Sequence, residues 1–239
     1  MSDAELHEAY AWPTPVDSSR PWVRANMATS VDGSISGNGG QSDSISSPAD
    51  KQVFRLLRAT SQVILVGSGT AKAEGYGPAK TSADPQPAIA LVTGRANLDT
   101  SSPLFADATT RTIVITSEAA PTDKRAAIAE VADLIVCGST GVDLPGALRE
   151  LASRGIQRVL CEGGPHLLGD LVAAGCLDDL CLTTSPLLVG GQATDAKGNE
   201  HDPGRILAGP TGLPNGTKLA LASLIEADGS LMARWAVSR

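Results

Sequence analysis

Short apolar runs alternate with stretches whose apolar residues recur every three or four positions, almost from end to end of the chain. Trp22 to Ser30 predicts a strand, closed by the turn pair Asp32-Gly33. A Gly/Ser-rich loop, Gly37 to Ser46, follows it. Ser47-Pro48-Ala49-Asp50 then offers a capped helix start, with Val53, Leu56 and Leu57 on the inner face. Gln62 to Val66 predicts a strand that runs into Gly67-Ser68-Gly69-Thr70 and a further helix start. Ala88 to Thr93, Thr112 to Thr116 and Leu134 to Cys137 predict more strands, with helices at about 121–130 and 143–154 between the later elements. The strand Val159-Leu160-Cys161-Glu162 passes through Gly163-Gly164 into a helix opened by Pro165. Leu167, Leu168, Leu171 and Val172 carry that helix, and Gly175 is placed to end it. Asp179 to Ser185 predicts a strand, and residues 186–216 form a long Gly/Pro-rich stretch. Lys218 to Ala227 and Ser230 to Val237, joined through Asp228-Gly229, predict a closing β-hairpin.

Strands alternating with helices imply an α/β fold: a mostly parallel central sheet flanked by helices, with the hairpin as a C-terminal antiparallel edge. Residues 1–20 are polar and Pro-containing and read as a flexible N-terminal arm before a single domain over 21–239. Aromatic residues supply only 3% of the chain, so Ala, Val, Leu and Ile must build the core. The net charge of −7 comes without any basic run, which excludes a nucleic-acid surface but not a small anionic ligand. With neither a signal peptide nor an apolar run of about 18 residues, the expectation is no membrane contact and a cytoplasmic location. Cys137, Cys161, Cys176 and Cys181 show no metal-ligand spacing, and Cys137 and Cys161 sit in apolar strand patterns as small hydrophobes. His7, His166 and His201 are scattered, so no metal is expected.

The chemistry concentrates at two glycine turns. Gly163-Gly164 lets backbone approach a ligand closely, and the free N–H groups of the helix opened by Pro165 favour a phosphate. An ordinary tight turn explains the same local residues. Gly67-Ser68-Gly69-Thr70-Ala71-Lys72-Ala73 begins like a dinucleotide fingerprint, again between a strand and a helix. No acidic residue ends the next strand at Thr93-Gly94-Arg95; an arginine there suits an adenosine 2′-phosphate, although alone it also reads as a solvated surface residue. Two such cradles at the carboxyl ends of parallel strands favour a dinucleotide site more than either does separately.

Several motifs in order, Asn26-Met27-Ala28-Thr29-Ser30-Val31-Asp32-Gly33, Ser46-Ser47-Pro48 with Leu56-Leu57-Arg58, Val66-Gly67-Ser68-Gly69-Thr70, and Glu162-Gly163-Gly164, resemble the reductase domain of riboflavin biosynthesis. The resemblance spans about residues 21–238. That family holds the 5-amino-6-(5-phosphoribosylamino)uracil reductases and is similar in fold to dihydrofolate reductase. The resemblance implies NADPH as cofactor, a phosphorylated pyrimidine as substrate, and a homodimer. It implies cofactor contacts at Ala28, Ser44, Gly67, Gly69, Thr70, Glu74, Thr93, Gly94, Arg95 and the run Gly163, Gly164, Pro165, His166, Leu167 and Leu168. His166 would act there through its backbone N–H. Substrate contacts fall at Asn26, Ser42, Arg58 and Glu162, with Arg58 able to fork onto a 5′-phosphate. The candidate catalytic carboxylates are Glu162 and Asp32; Asp32 reads first as the turn partner of Gly33, a role compatible with reaching the substrate. The chain departs from the bacterial bifunctional pattern at Asn26, where a lysine is frequent, at Glu74-Gly75-Tyr76, and at Ser44. Nothing matches the His-x-Glu…Pro-Cys-x-x-Cys signature of a deaminase partner domain. A pterin reductase on the same fold and a non-catalytic NADP-binding regulator remain as alternatives.

Overall fold

The computed structural model describes residues 2–14, 19–37, 42–191, 193–194, 200–201, 204–209, 213 and 216–238. In chain order the elements are α1 (Asp3–Ala9), β1 (Trp22–Ser30), α2 (Pro48–Thr60), β2 (Val63–Gly67), α3 (Ser68–Ala73), β3 (Ala88–Val92), α4 (Pro103–Ala106), β4 (Ile113–Thr116), α5 (Thr122–Val131) and β5 (Asp133–Val136). They continue with α6 (Leu144–Ser153), β6 (Arg158–Cys161), α7 (Pro165–Ala173), β7 (Asp179–Ser185), the short strands β8 (Ala193–Thr194) and β9 (Glu200–His201), β10 (Leu219–Ala227) and β11 (Ser230–Val237).

Nine strands form one sheet in the order β10-β11-β7-β1-β6-β2-β3-β4-β5. All pairings from β7 to β5 are parallel, while β11 pairs antiparallel with both β7 and β10. The chain therefore builds β2 to β5 outward, then returns to insert β6 between β1 and β2. This insertion places the carboxyl end of β6, and the glycines after it, between the ends of β1 and β2. Such a return is where open α/β sheets bind ligands.

Strand periodicity divides the core. Val23, Ala25 and Met27 of β1 face α6 and α7, whose Leu144, Leu148, Leu151, Leu167, Leu168 and Leu171 complete that layer. On the opposite face, Leu6, Val53, Leu57, Ile64, Ile89, Leu91 and Leu160 pack under α1 and α2. Burying one such leucine contributes roughly 1.5–3 kcal/mol, so the two layers dominate stability. The α2 start follows its sequence: Pro48 opens it, and the Ser47 side chain accepts from the Asp50 N–H at 3.1 Å. Much of the 186–216 stretch lies outside the described residues, and its described part includes the two-stranded β8-β9 ribbon.

The N-terminal arm needs correction. Residues 3–9 form a helix with a capping box between Ser2 and Glu5, and Leu6 and Tyr10 are buried. The anchor is Arg24, fully buried in β1, which donates to the carbonyls of Tyr10 at 2.6 Å and Ala11 at 3.1 Å. Arg24 also pairs with Asp179 at 2.7 Å, and Trp12 stacks on its guanidinium at 4.3 Å. Arg234 reinforces the dock by donating to the Ala9 carbonyl at 2.9 Å. A buried arginine must be paired, and the arm supplies acceptors that β1 cannot.

Arg24→Ala is expected to leave the Asp179 charge without its main partner and to cost about 3–5 kcal/mol, read as a lowered urea midpoint. An unchanged midpoint would show that the arm is held by its apolar contacts alone.

Candidate active site

The end of β6 carries Glu162 into the gap between α2 and the turn after α3. Its carboxylate meets Arg58, whose Nε and Nη2 donate to Oε1 and Oε2 at 2.7 and 2.6 Å. The Tyr76 hydroxyl donates to Oε2 at 2.7 Å, and Phe54 and Tyr76 lie against the guanidinium at 4.3 and 5.5 Å. Burial works against the charge on Arg58, but the hydrogen bonds and charge of Glu162 outweigh it and hold its pKa above the ordinary guanidinium value. Burial and the adjacent Glu162 charge push the Tyr76 hydroxyl well above its usual range, so it remains a donor.

Next in the chain, the Gly163 carbonyl accepts from the Gly67 N–H at 2.8 Å, joining the two glycine turns edge to edge. Two positions here require glycine. Gly163 has φ +89°, and a Cβ on Gly164 would lie 2.3 Å from the Thr70 Oγ1.

Two cavities open on either side of this seam, and Thr70, Gly164 and Pro165 line both. The first, of about 790 Å³, lies over Gly67, Gly69, Thr93, Gly94, His166 and Leu167 and reaches the start of α6 at Asp143. Its size suits a large ligand. Its lining holds Asp143 and Asp170 but neither lysine nor arginine, so an anion there depends on the N–H groups and dipole of α7. The second, of about 770 Å³, holds Asn26, Ala28, Ser42, Glu74, Arg58 and Glu162, and the α2 face Asp50, Lys51, Phe54 and Arg55.

Most of the expected site residues thus converge, but five do not line either cavity: Gly163, which sits in the seam between them, and four others. Asp32 is exposed and fastens a loop: it accepts from the Ser30 hydroxyl, the Val189 N–H at 3.2 Å and the Gly190 N–H at 2.8 Å. The hydroxyl of Ser30 and these N–H groups hold its carboxyl down at about 2. The geometry is that of the turn reading. Leu168 is in the core, 1% exposed. Arg95 is exposed beyond Gly94, and Ser44 instead accepts from the Gly37 N–H at 2.9 Å. Arg58 also differs from the expected phosphate fork, because two of its nitrogens are committed to Glu162. Glu162 in turn lines the cavity with both oxygens engaged, which suits a further hydrogen-bond acceptor better than a free base.

Four residues lining the second cavity, Lys51, Arg55, Asp50 and Tyr76, escaped the sequence reading. Arg55 is exposed on the cavity wall with no ion-pair partner among the described residues, while Lys51 pairs with Asp43 at 2.7 Å. The spacing of Lys51, Arg55 and Arg58 places all three on one helix face, a legible signal. Asp50 read only as part of a helix start, and Tyr76 gave no local sign of its contact with Glu162. Among the described residues, no group of three His, Cys, Asp or Glu side chains is placed to hold a metal, and no helix is long and apolar enough to cross a membrane.

A family model described as the RibD C-terminal domain matches residues 21–223. A 2,5-diamino-6-ribosylamino-4(3H)-pyrimidinone 5′-phosphate reductase of Archaeoglobus fulgidus is 30% identical over 184 residues, 72% of this chain and 84% of that protein. The riboflavin biosynthesis protein RibD of Bacillus amyloliquefaciens is also 30% identical, but the chain spans only 47% of its length. Among solved structures, a pyrimidine reductase-like protein of Corynebacterium diphtheriae superposes with a TM-score of 0.76 at 23% identity, covering 98% of both chains. A dihydrofolate reductase of Enterococcus faecalis, complexed with NADP(H), gives 0.51 at 13% identity, covering 91% of this chain and 97% of that one. The fold is dihydrofolate reductase-like.

The depressed Asp32 carboxyl contributes stability above the unfolded carboxylate value near 4, and that contribution is lost as pH falls through about 2. Asp32→Asn should therefore be less stable than the parent at neutral pH and converge with it near pH 2 in thermal unfolding. Parallel curves across that window would remove Asp32 as the loop anchor.

Proposed function

The chain belongs to the RibD C-terminal domain family, and from that premise we propose an NADPH-dependent reductase that converts a 5′-phosphorylated ribosylaminopyrimidine to its ribitylamino product in riboflavin biosynthesis. The ring is either the 5-amino-uracil form expected from sequence or the 2,5-diamino-pyrimidinone form after which the Archaeoglobus relative is named. One observation carries this reading: a dinucleotide-sized cavity and a cation-bearing cavity share the wall Thr70, Gly164 and Pro165.

The reduced nicotinamide, when bound, supplies a hydride to C1′; the bond from C1′ to the ring oxygen opens, and that oxygen takes a proton from solvent. The protein's part is placement. The bare backbone of Gly67 and Gly164 and the α7 start receive the pyrophosphate, and Gly164 leaves the shared wall thin enough for the two ligands to meet. Arg95, beside Gly94 at the far end, is the nearby cation suited to a 2′-phosphate, the basis for NADPH over NADH. In the second cavity Arg55, with Lys51 and the third nitrogen of Arg58, anchors the 5′-phosphate. Glu162, held by Arg58 and Tyr76, offers its remaining lone pairs to ribose hydroxyls.

A homodimer fits the uncovered end of the sheet. Leu219, Leu221, Leu224 and Leu231 are 40–56% exposed. The irregularity between Leu221 and Ser223 keeps Leu224 on the same face as Leu221, opposite Ala233. A second copy of the chain is the occupant we assign to this leucine face. Leu221→Asp with Leu224→Asp should shift sedimentation from dimer to monomer; a parent that already sediments as a monomer would refute the assignment.

The direct test of the activity follows loss of NADPH absorbance with each phosphorylated pyrimidine. Arg55→Ala should raise KM about ten-fold, the loss of one charge-assisted contact, with kcat nearly unchanged. Turnover of dihydrofolate with neither pyrimidine reduced would replace this function by pterin reduction, in which Arg55 has no phosphate to hold.

A further inference from the structure

The N-terminal arm lies outside the stretch matched by the family model, which begins at residue 21, yet it is built onto the helix that carries the cations of the second cavity. The sheet holds its backbone. Arg234 of β11 and Arg24 of β1 donate to the carbonyls of Ala9, Tyr10 and Ala11, groups left without helical partners where α1 ends. Its side chains are committed to α2. Leu6 and Tyr10 are buried with Ala49, Val53 and Leu57 of α2 in one apolar cluster. Trp12 joins the two supports. Its ring lies over the Arg24 guanidinium at 4.3 Å, and its Nε1–H donates at 3.0 Å to the Oγ1 of Thr60, the last residue of α2.

Helix geometry turns these contacts into a placement. Ala49, Val53 and Leu57 recur every four residues on the side of α2 that packs under the arm and on the sheet, while Lys51, Phe54, Arg55 and Arg58 line the second cavity. Close-packed interiors transmit displacement, so a shift on the packed side moves the cavity side with it. We propose that Trp12 is a positioning residue for the ligand of the second cavity: by fastening the end of α2 to β1, it fixes where Arg55 stands. Arg55 has no ion-pair partner among the described residues to steer it, so its reach depends on how the helix lies. A misplacement of about 1 Å, from a change far from the chemistry, is enough to cost up to about a hundred-fold in rate. The first cavity stands apart from this support, because among the described residues none of the arm or of α2 lines it. The proposal takes the identity of the ligand, a phosphorylated pyrimidine, from the reductase reading above.

The test measures KM for the phosphorylated pyrimidines and Kd for NADP+ in the parent, in Trp12→Phe and in Trp12→Ala. Trp12→Phe keeps a ring over Arg24 and loses the N–H to Thr60; Trp12→Ala loses both. KM should rise about ten-fold in Trp12→Ala and by less in Trp12→Phe, with NADP+ affinity unchanged. A purely structural role lowers the thermal midpoint and the active fraction, so that kcat falls while KM keeps its parent value. That result overturns the proposal, and so does an equal loss of NADP+ affinity. A second measurement needs no turnover: calorimetric titration with inorganic phosphate, in which the share of binding that Arg55→Ala removes reports the second cavity. Loss of that share in Trp12→Ala supports the proposal even if neither pyrimidine is reduced, a result that would sink the reductase reading alone. Phosphate affinity equal in the parent and Trp12→Ala overturns it whatever the activity.

Discussion

The Glu162 carboxylate sits, almost out of reach of water, at the end of a strand inserted between two others, and it must be paired there. A lone carboxylate in that position would cost several kcal/mol. Arg58 meets the requirement with a two-pronged contact, and this fixes how α2 lies across the sheet. Once Arg58 points at β6, helical spacing brings Phe54, Arg55 and Lys51 to the same side. Tyr76 is drawn in by the same carboxylate, which folds the turn after α3 over the cavity. One ion pair therefore sets the roof and a wall of the second cavity. Two of the Arg58 nitrogens are consumed in doing so, which leaves Arg55 as the exposed cation of that wall with no ion-pair partner among the described residues.

The neighbouring cavity is built on the opposite principle. Among the described residues its lining carries carboxylates and neither lysine nor arginine, so an anion held there would depend on backbone groups. Backbone recognition needs close approach, and close approach needs missing side chains. The contact of Gly67 N–H with the Gly163 carbonyl and the proximity of Gly164 to Thr70 show how little room is left. The two halves of the site are complementary: one positions by charge, the other by the absence of bulk, and they meet at Gly164.

The fold was largely legible because its elements have clean periods. The strand over Trp22 to Ser30, the strand over Asp179 to Ser185 and the closing hairpin follow local patterns that tertiary contacts do not override. The glycine turns were legible for the same reason. What stayed hidden are contacts between distant residues. Arg24 sits in an otherwise apolar strand, and nothing local shows that its acceptors are the carbonyls of Tyr10 and Ala11. The arm therefore read as loose. Asp32 gave two readings because its partners, the N–H groups of Val189 and Gly190, lie far along the chain. Arg58 was recognised as a site residue, but its commitment to Glu162 could not be seen from either residue's neighbours.

The buried carboxylates also differ in how their charge is met within one chain. Asp178 is taken up by Arg20 and by the Val23 N–H. Asp179 keeps one oxygen without a partner, yet its other oxygen gathers Arg24, Arg234 and Trp22, two of them cationic, and it lines neither cavity. Its charge is already answered from within the protein, so the unpaired oxygen has no ligand to meet. Asp50 has no ion-pair partner among the described residues, one oxygen tied to Ser46, and the other unpaired in a cavity wall. An unsatisfied atom is thus not enough to mark a binding group. The two differ in where the unpaired oxygen lies: Asp179 lines neither cavity and its charge is met by two arginines, whereas Asp50 lines the second cavity with no ion-pair partner among the described residues.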